Sequence, residues 1–174
     1  MNRRPLILLL ACACLTACDD DSGDEATTAT TGDTDDSGDT PTVDEQEIID
    51  MTLIYEQYEK INTDSLPSQH GIPDTVNVWV PSSAAETFRS LSDGTVFDEG
   101  TILVKEHLDA DGAFISATVM YKGPAGYAPD AGDWWFGLVN PDGSASPTGQ
   151  PDLCIGCHSS AADTTDWVLA IPAG

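Results

Sequence analysis

Near the end of the chain, Cys154-Ile155-Gly156-Cys157-His158 sets two thiols three residues apart with an imidazole directly after the second. On a helix these fall at i, i+3 and i+4, so all three share one face. Thiols at that spacing can add to the two vinyl groups along one edge of a porphyrin, and the neighbouring imidazole can reach the iron as its proximal ligand. Other chemistries use the same residue types. A thioredoxin-like redox pair wants its cysteines at a helix start after a parallel strand, a setting this sequence lacks. A structural zinc site wants four ligands, but only His70 and His107 remain as nitrogen donors, and adjacent Cys157 and His158 suit one tetrahedron poorly. A disulfide would leave His158 without a role. Covalent attachment of one haem c is the reading that employs all three side chains.

The elements that must position this motif are of two kinds. The stretch 42–62 opens with Thr42 as a candidate N-cap, has acids in its first turn, and spaces Met51, Ile54, Tyr58 and Ile61 as one face of an amphipathic helix. A polar loop over 62–74 leads to "TVNVWV", whose alternating valines predict a strand ended by Pro81. "SSAAETFRSL" follows, with a Ser cap and Glu86 three residues after Ser83, as a short helix. The text then turns to β: "GTILVKEHLD", "AFISATVMYKG" and "DWWFGLVNPDGS" are separated by turns at Asp111-Gly112 and before the last cysteines at Pro141-Asp142-Gly143. Consecutive hairpins without intervening helices predict an antiparallel sheet. The fold class is α+β, with N-terminal helices, an antiparallel sheet, and the cysteine motif in a short C-terminal helix.

Candidates for the far side of a haem come from the strands. Ile102 and Val104 point to one face, and Leu103, Lys105 and His107 to the other. Lys105 and His107 are therefore candidate lining residues, with Phe114, Met120 and Tyr121 beside them. Trp134, Trp135 and Phe136 extend the set of aromatic side chains that could wall an apolar pocket. Met120 or His107 could instead be a sixth iron ligand, as in an electron-transfer cytochrome. His70 lies in a polar loop, where a hydrogen-bonding turn role fits it. The favoured reading is an aromatic distal wall over a five-coordinate iron.

The chain begins with a basic pair, Arg3 and Arg4, and an apolar run too short to span a bilayer, the pattern of an export signal over 1–17. Leu15-Thr16-Ala17-Cys18 resembles the bacterial lipobox, which makes Cys18 the lipidated residue of the mature protein and leaves Cys154 and Cys157 as its remaining cysteines. Several acyl chains hold a protein stably on a membrane. Residues 18–42, rich in Asp, Thr, Gly and Ser, then read as a disordered acidic tether, and 43–174 as the folded domain. Asp19 after the anchor resembles an inner-membrane retention signal, so the expected place is the cell envelope, with the domain facing periplasm or exterior. A net charge of −24 argues against nucleic acid as a partner and favours cationic redox proteins.

In order and spacing, "TVNVWV", the short helix, "GTILVKE", "MYKG", "GDWWFGLVNPDG" and "CIGCHSSAADTTDWV" resemble the cytochrome P460 family over about residues 70–174. The resemblance implies a mono-haem c-type domain, often a homodimer, whose haem packs against an antiparallel sheet. Cys154 and Cys157 fall at the thioether positions and His158 at the proximal ligand. Family members oxidise hydroxylamine or bind small gases such as nitric oxide, which makes this chain a candidate oxidoreductase or a binder of nitrogen oxides. The oxidising members also bond a lysine to the porphyrin edge. Lys105 and Lys122 are the lysines of the β region, and neither falls clearly at that position. An electron-transfer cytochrome and an anchored binding module without haem stay open beside these readings.

Overall fold

The structure is a computed structural model that describes residues 40–70 and 75–171. The export signal, Cys18 and nearly all of the acidic tether lie outside those residues. The first helix, α1 (Glu45–Leu53), is shorter than its periodicity predicts and starts at a different cap. Asp44, not Thr42, holds the N-terminus, its Oδ1 accepting from the amides of Gln46 and Glu47. The buried face is Ile48, Ile49 and Thr52, while Ile54 is exposed. The helix stops because Tyr55 turns inward and donates its hydroxyl to Glu106 at 2.6 Å, and β1 (Glu59–Lys60) is recruited into the sheet. Strand pairing with the rest of the sheet overrides the helical period there.

All strand pairs are antiparallel. β3 (Thr75–Val80), β4 (Ile102–Leu108), β5 (Phe114–Lys122), β6 (Trp134–Val139) and β7 (Ala145–Gly149) follow one another across the sheet, with β1 and the short β2 (Leu66–Pro67) both on β3. β2 falls in the stretch expected to be loop. The β4–β5 turn is closed by Asp109, whose Oδ1 accepts from the amides of Asp111 and Ala113, and Gly112 supplies the positive φ of 81°. The β6–β7 turn carries Pro141-Asp142-Gly143 and closes with the amide of Asn140 donating to the carbonyl of Ser144.

Alternation along these strands gives the sheet two apolar faces. One carries Ile102, Val104, Ala117, Val119, Trp135 and Val139 and is covered by Ile48, Ile49 and Tyr55. Trp135 also donates its indole N–H to Glu45, which ties α1 to that face. The other carries Val78, Val80, Leu103, Met120, Trp134 and Phe136. Against it pack α2 (Ser82–Arg89), through Ala84 and Phe88, and the C-terminal segment of α3 (Asp152–His158), a 3-10 turn and α4 (Ala162–Thr165). The Ser cap expected for α2 is absent: Pro81 occupies the cap, and its carbonyl takes the amide of Ala84.

Candidate functional site

Between α3 and the second sheet face lies a cavity of about 480 Å³, within the range of small-molecule and cofactor sites. Cys154, Cys157 and His158 border it from α3, and the cross-strand row Leu103, Met120, Phe136 faces them from the sheet. Phe88 and Val168 add further apolar wall. Both cysteines are free thiols. Burial, and then the neighbouring Cys157, raise the Cys154 thiol above its ordinary pKa. Among the described residues no group of three or more His, Cys, Asp or Glu is disposed to hold a metal ion.

The geometry around His158 defines its chemistry. Its Nδ1 lies 2.8 Å from the carbonyl oxygen of Trp167. A carbonyl only accepts, so Nδ1 carries the proton, and the lone pair belongs to Nε2. Burial lowers the pKa of this imidazole, the carbonyl works the other way, and the charge of Lys105 lowers it further. The bond to Trp167 thus holds the ring in one tautomer and one orientation, as second-shell partners do for metal-ligating histidines. The ring of Phe136 sits 5.2 Å from it.

The opposite wall is polar at one point. Lys105 lines the cavity between its cross-strand neighbours Val78 and Thr118, and burial lowers the pKa of its amine. Thr118 and His70 line it too, and the Thr118 hydroxyl lies 3.1 Å from His70 Nδ1. His107 shares this face but is not a lining residue. It is fully buried behind Thr118, with Nε2 at 3.1 Å from that hydroxyl and Nδ1 at 3.4 Å from Ser68. Burial and then Lys105 bring its pKa down to about 4.

Three expected pocket residues require correction: His107, which lies behind Thr118, and Tyr121 and Phe114, which face the other way. Tyr121 lies one residue out of phase with Met120 and packs with the first face. Phe114 sits there as well, its ring 5.5 Å from Tyr55. The cause is a bulge: His107 pairs with Ser116 but Leu108 pairs with Phe114, so Ile115 drops out of register and Phe114 turns to the other side. Of the other aromatic candidates, Trp135 belongs to the first face and Trp134 to the second-face core, and Phe136 lines the cavity. Met120 both fills the core and lines the cavity. Lys122 is held away from the cavity by Asp166. Thr118 and His70 were missed as lining residues. Thr118 is legible only once the register that sets it opposite Lys105 is known, and His70 arrives from a loop thirty-five and more residues away in sequence from either strand partner.

An apolar cleft, two free thiols on one helix face and an oriented imidazole at its edge fit a covalently held haem. No curated protein and no solved structure matches the chain. A family model, cytochrome P460, matches residues 53–170, which takes in the whole sheet, both walls of the cavity and the helix with the cysteines. That family binds haem c covalently. With the match running through every element that builds the cavity, the chain belongs to the cytochrome P460 family and is a c-type haem protein.

Proposed function

We propose that Cys154 and Cys157 hold the haem by thioether bonds, that His158 is its proximal ligand, and that the wall of Lys105, Thr118 and His70 forms a binding site for a small nitrogen-oxide molecule. The observation that carries this reading is the bond from His158 Nδ1 to the Trp167 carbonyl, which leaves Nε2 as the free donor atom. Haem, when bound, supplies an iron that takes a further ligand and exchanges single electrons. The protein's own residues do the rest. Leu103, Met120 and Phe136 keep water from the sheet side of the cavity. Lys105 offers a cationic donor and Thr118 a hydroxyl to an oxygen or nitrogen atom bound there. A second reading, a six-coordinate electron-transfer cytochrome, draws support from the thioether of Met120 in the cavity wall. His107 supports it less, since both of its ring nitrogens have partners.

We propose, from the lipobox-like Leu15-Thr16-Ala17-Cys18, that Cys18 anchors the protein to a membrane of the cell envelope through its lipid, with the acidic stretch 18–42 as a tether to the domain. No described helix is long and apolar enough to cross a membrane.

The test is spectroscopic. The chain is produced in cells that attach c-type haem, and its mass and its optical spectra are recorded oxidised, reduced, and reduced with carbon monoxide or nitric oxide. A haem-sized mass increment, lost in the Cys154→Ser, Cys157→Ser double variant, and a spectrum that shifts on adding either gas are expected. A reduced protein indifferent to both gases would sink the ligand-binding reading. A low-spin spectrum that becomes high-spin in Met120→Ala would establish the second reading in its place.

A further inference from the structure

The segment after the cysteine helix holds a feature that haem attachment alone does not use. Asp166 and Trp167 are both non-glycine residues at positive φ, 52° and 69°. Each such residue is strained and persists only where the surroundings over-determine it. Here they do. The Asp166 carboxylate accepts both from Lys122 Nζ, at 2.7 and 2.8 Å, and from the amide of Phe97 at 2.9 Å. Its backbone carbonyl accepts the indole N–H of Trp134 at 2.8 Å. Lys122 in turn reaches the carbonyl of Gly132, and its ammonium lies over the Trp134 ring. Gly132, itself at φ 61°, leaves no room for a side chain, since a Cβ there would meet the Trp167 ring at 2.6 Å.

Lys122 and Asp166 have side chains only 12 % and 10 % exposed. A buried ion pair adds little net stability, because desolvation offsets most of the attraction, and its best-attested use is to select one geometry. The geometry selected here places the next carbonyl, that of Trp167, on His158 Nδ1. Released from the pair, the dipeptide would relax toward negative φ and swing that carbonyl away.

We propose that Lys122 and Asp166 are positioning residues for the proximal ligand. Through the Asp166-Trp167 turn they hold the acceptor that orients His158 and strengthens its imidazole as a donor to iron. The proposal rests on the reading of His158 as the proximal ligand.

The experiment uses the haem-loaded protein. Resonance Raman spectra of the reduced, ligand-free form give the iron–histidine stretching frequency, and redox titration gives the potential. Asp166→Asn keeps the side-chain shape and tolerates positive φ but weakens the pairing. The double variant K122Q/D166N leaves no unpaired buried charge and serves where the single variant does not fold. Both should lower and broaden the iron–histidine band and raise the potential, as a weaker donor stabilises the oxidised iron less. Glu106→Gln, which disturbs a buried carboxylate on the opposite sheet face, should move neither. An unshifted band and potential in folded, fully loaded K122Q/D166N overturns the proposal, and so does an equal shift in Glu106→Gln. A haem-loaded His158→Ala variant that keeps the wild-type iron–histidine band and potential overturns the ligation by His158 itself, and this proposal with it.

Discussion

Two bases on the cavity side of the sheet, the buried His107 and the half-buried Lys105, each give a measurable consequence. His107, at 0 % exposure and held down to about 4 from an ordinary 6.5, stays neutral in the folded protein while the unfolded chain takes up a proton between those values. Its contribution is therefore fully present above pH 6.5 and is lost as pH falls toward 4, an effect of about 3 kcal/mol. Urea unfolding of wild type and His107→Gln at pH 7 and pH 4.5 measures this. The wild type should lose more stability over that interval, and parallel losses would remove His107 as the cause. Lys105 is the one cation among the described residues that line the cavity. Lys105→Met should weaken azide or nitrite binding to the oxidised protein by about tenfold, the worth of one charge-assisted hydrogen bond, and leave carbon monoxide binding to the reduced protein within twofold. Spectral titration decides it, and equal losses for both ligands would mean that Lys105 shapes the cavity instead of charging it.

At the scale of elements, the sheet separates stability from function by its two faces. α1 covers the face away from the cavity, and Ile48 is 1 % exposed there. Ile48→Ala should cost about 2–5 kcal/mol on the large-to-small rule. The haem spectrum should not move, because the β-sheet lies between that site and the cavity. Chemical denaturation and an absorption spectrum on the same sample test both halves. A shifted spectrum at native pH would show that the sheet transmits the loss of packing. The same faces explain where strand alternation misleads. It places Leu103 and Lys105 together, as observed, but the bulge at Leu108 reverses Phe114, a local event of one residue that no period-2 count reveals. α1 shows the complementary failure, since its helical stripe continues past Leu53 while tertiary pairing takes Glu59 and Lys60 into the sheet.

For the whole molecule the dominant property is charge: 30 acidic residues against six lysines and arginines. Such a field steers cationic partners and repels anionic ones, with strong screening by salt. Reduction of the oxidised protein by a small cationic reagent should slow roughly tenfold between 10 mM and 500 mM salt, and reduction by an anionic reagent should speed up. Stopped-flow rates check the two signs, and rates indifferent to salt would show that the haem edge lies outside the acidic field. Much was open to reading before any folding was considered. Cys154, Cys157 and His158 suggest attachment chemistry because their identities and spacing fall along a single helical turn, and Asp111-Gly112 and Pro141-Asp142-Gly143 announce hairpins because turn preference is local to a few residues. The tertiary structure alone decided what faces what. It set Thr118 opposite Lys105 through strand register, brought His70 to the cavity wall, and assigned Lys122 to Asp166 instead of to the cavity. It also placed the Trp167 carbonyl on His158, nine residues away, through two strained φ angles. Residue identity and local period are properties of neighbours along the chain, whereas register, bulges and buried pairs are chosen by packing between segments far apart in it, and the meeting of Lys105, Thr118 and His70 in one cavity wall depends on the latter.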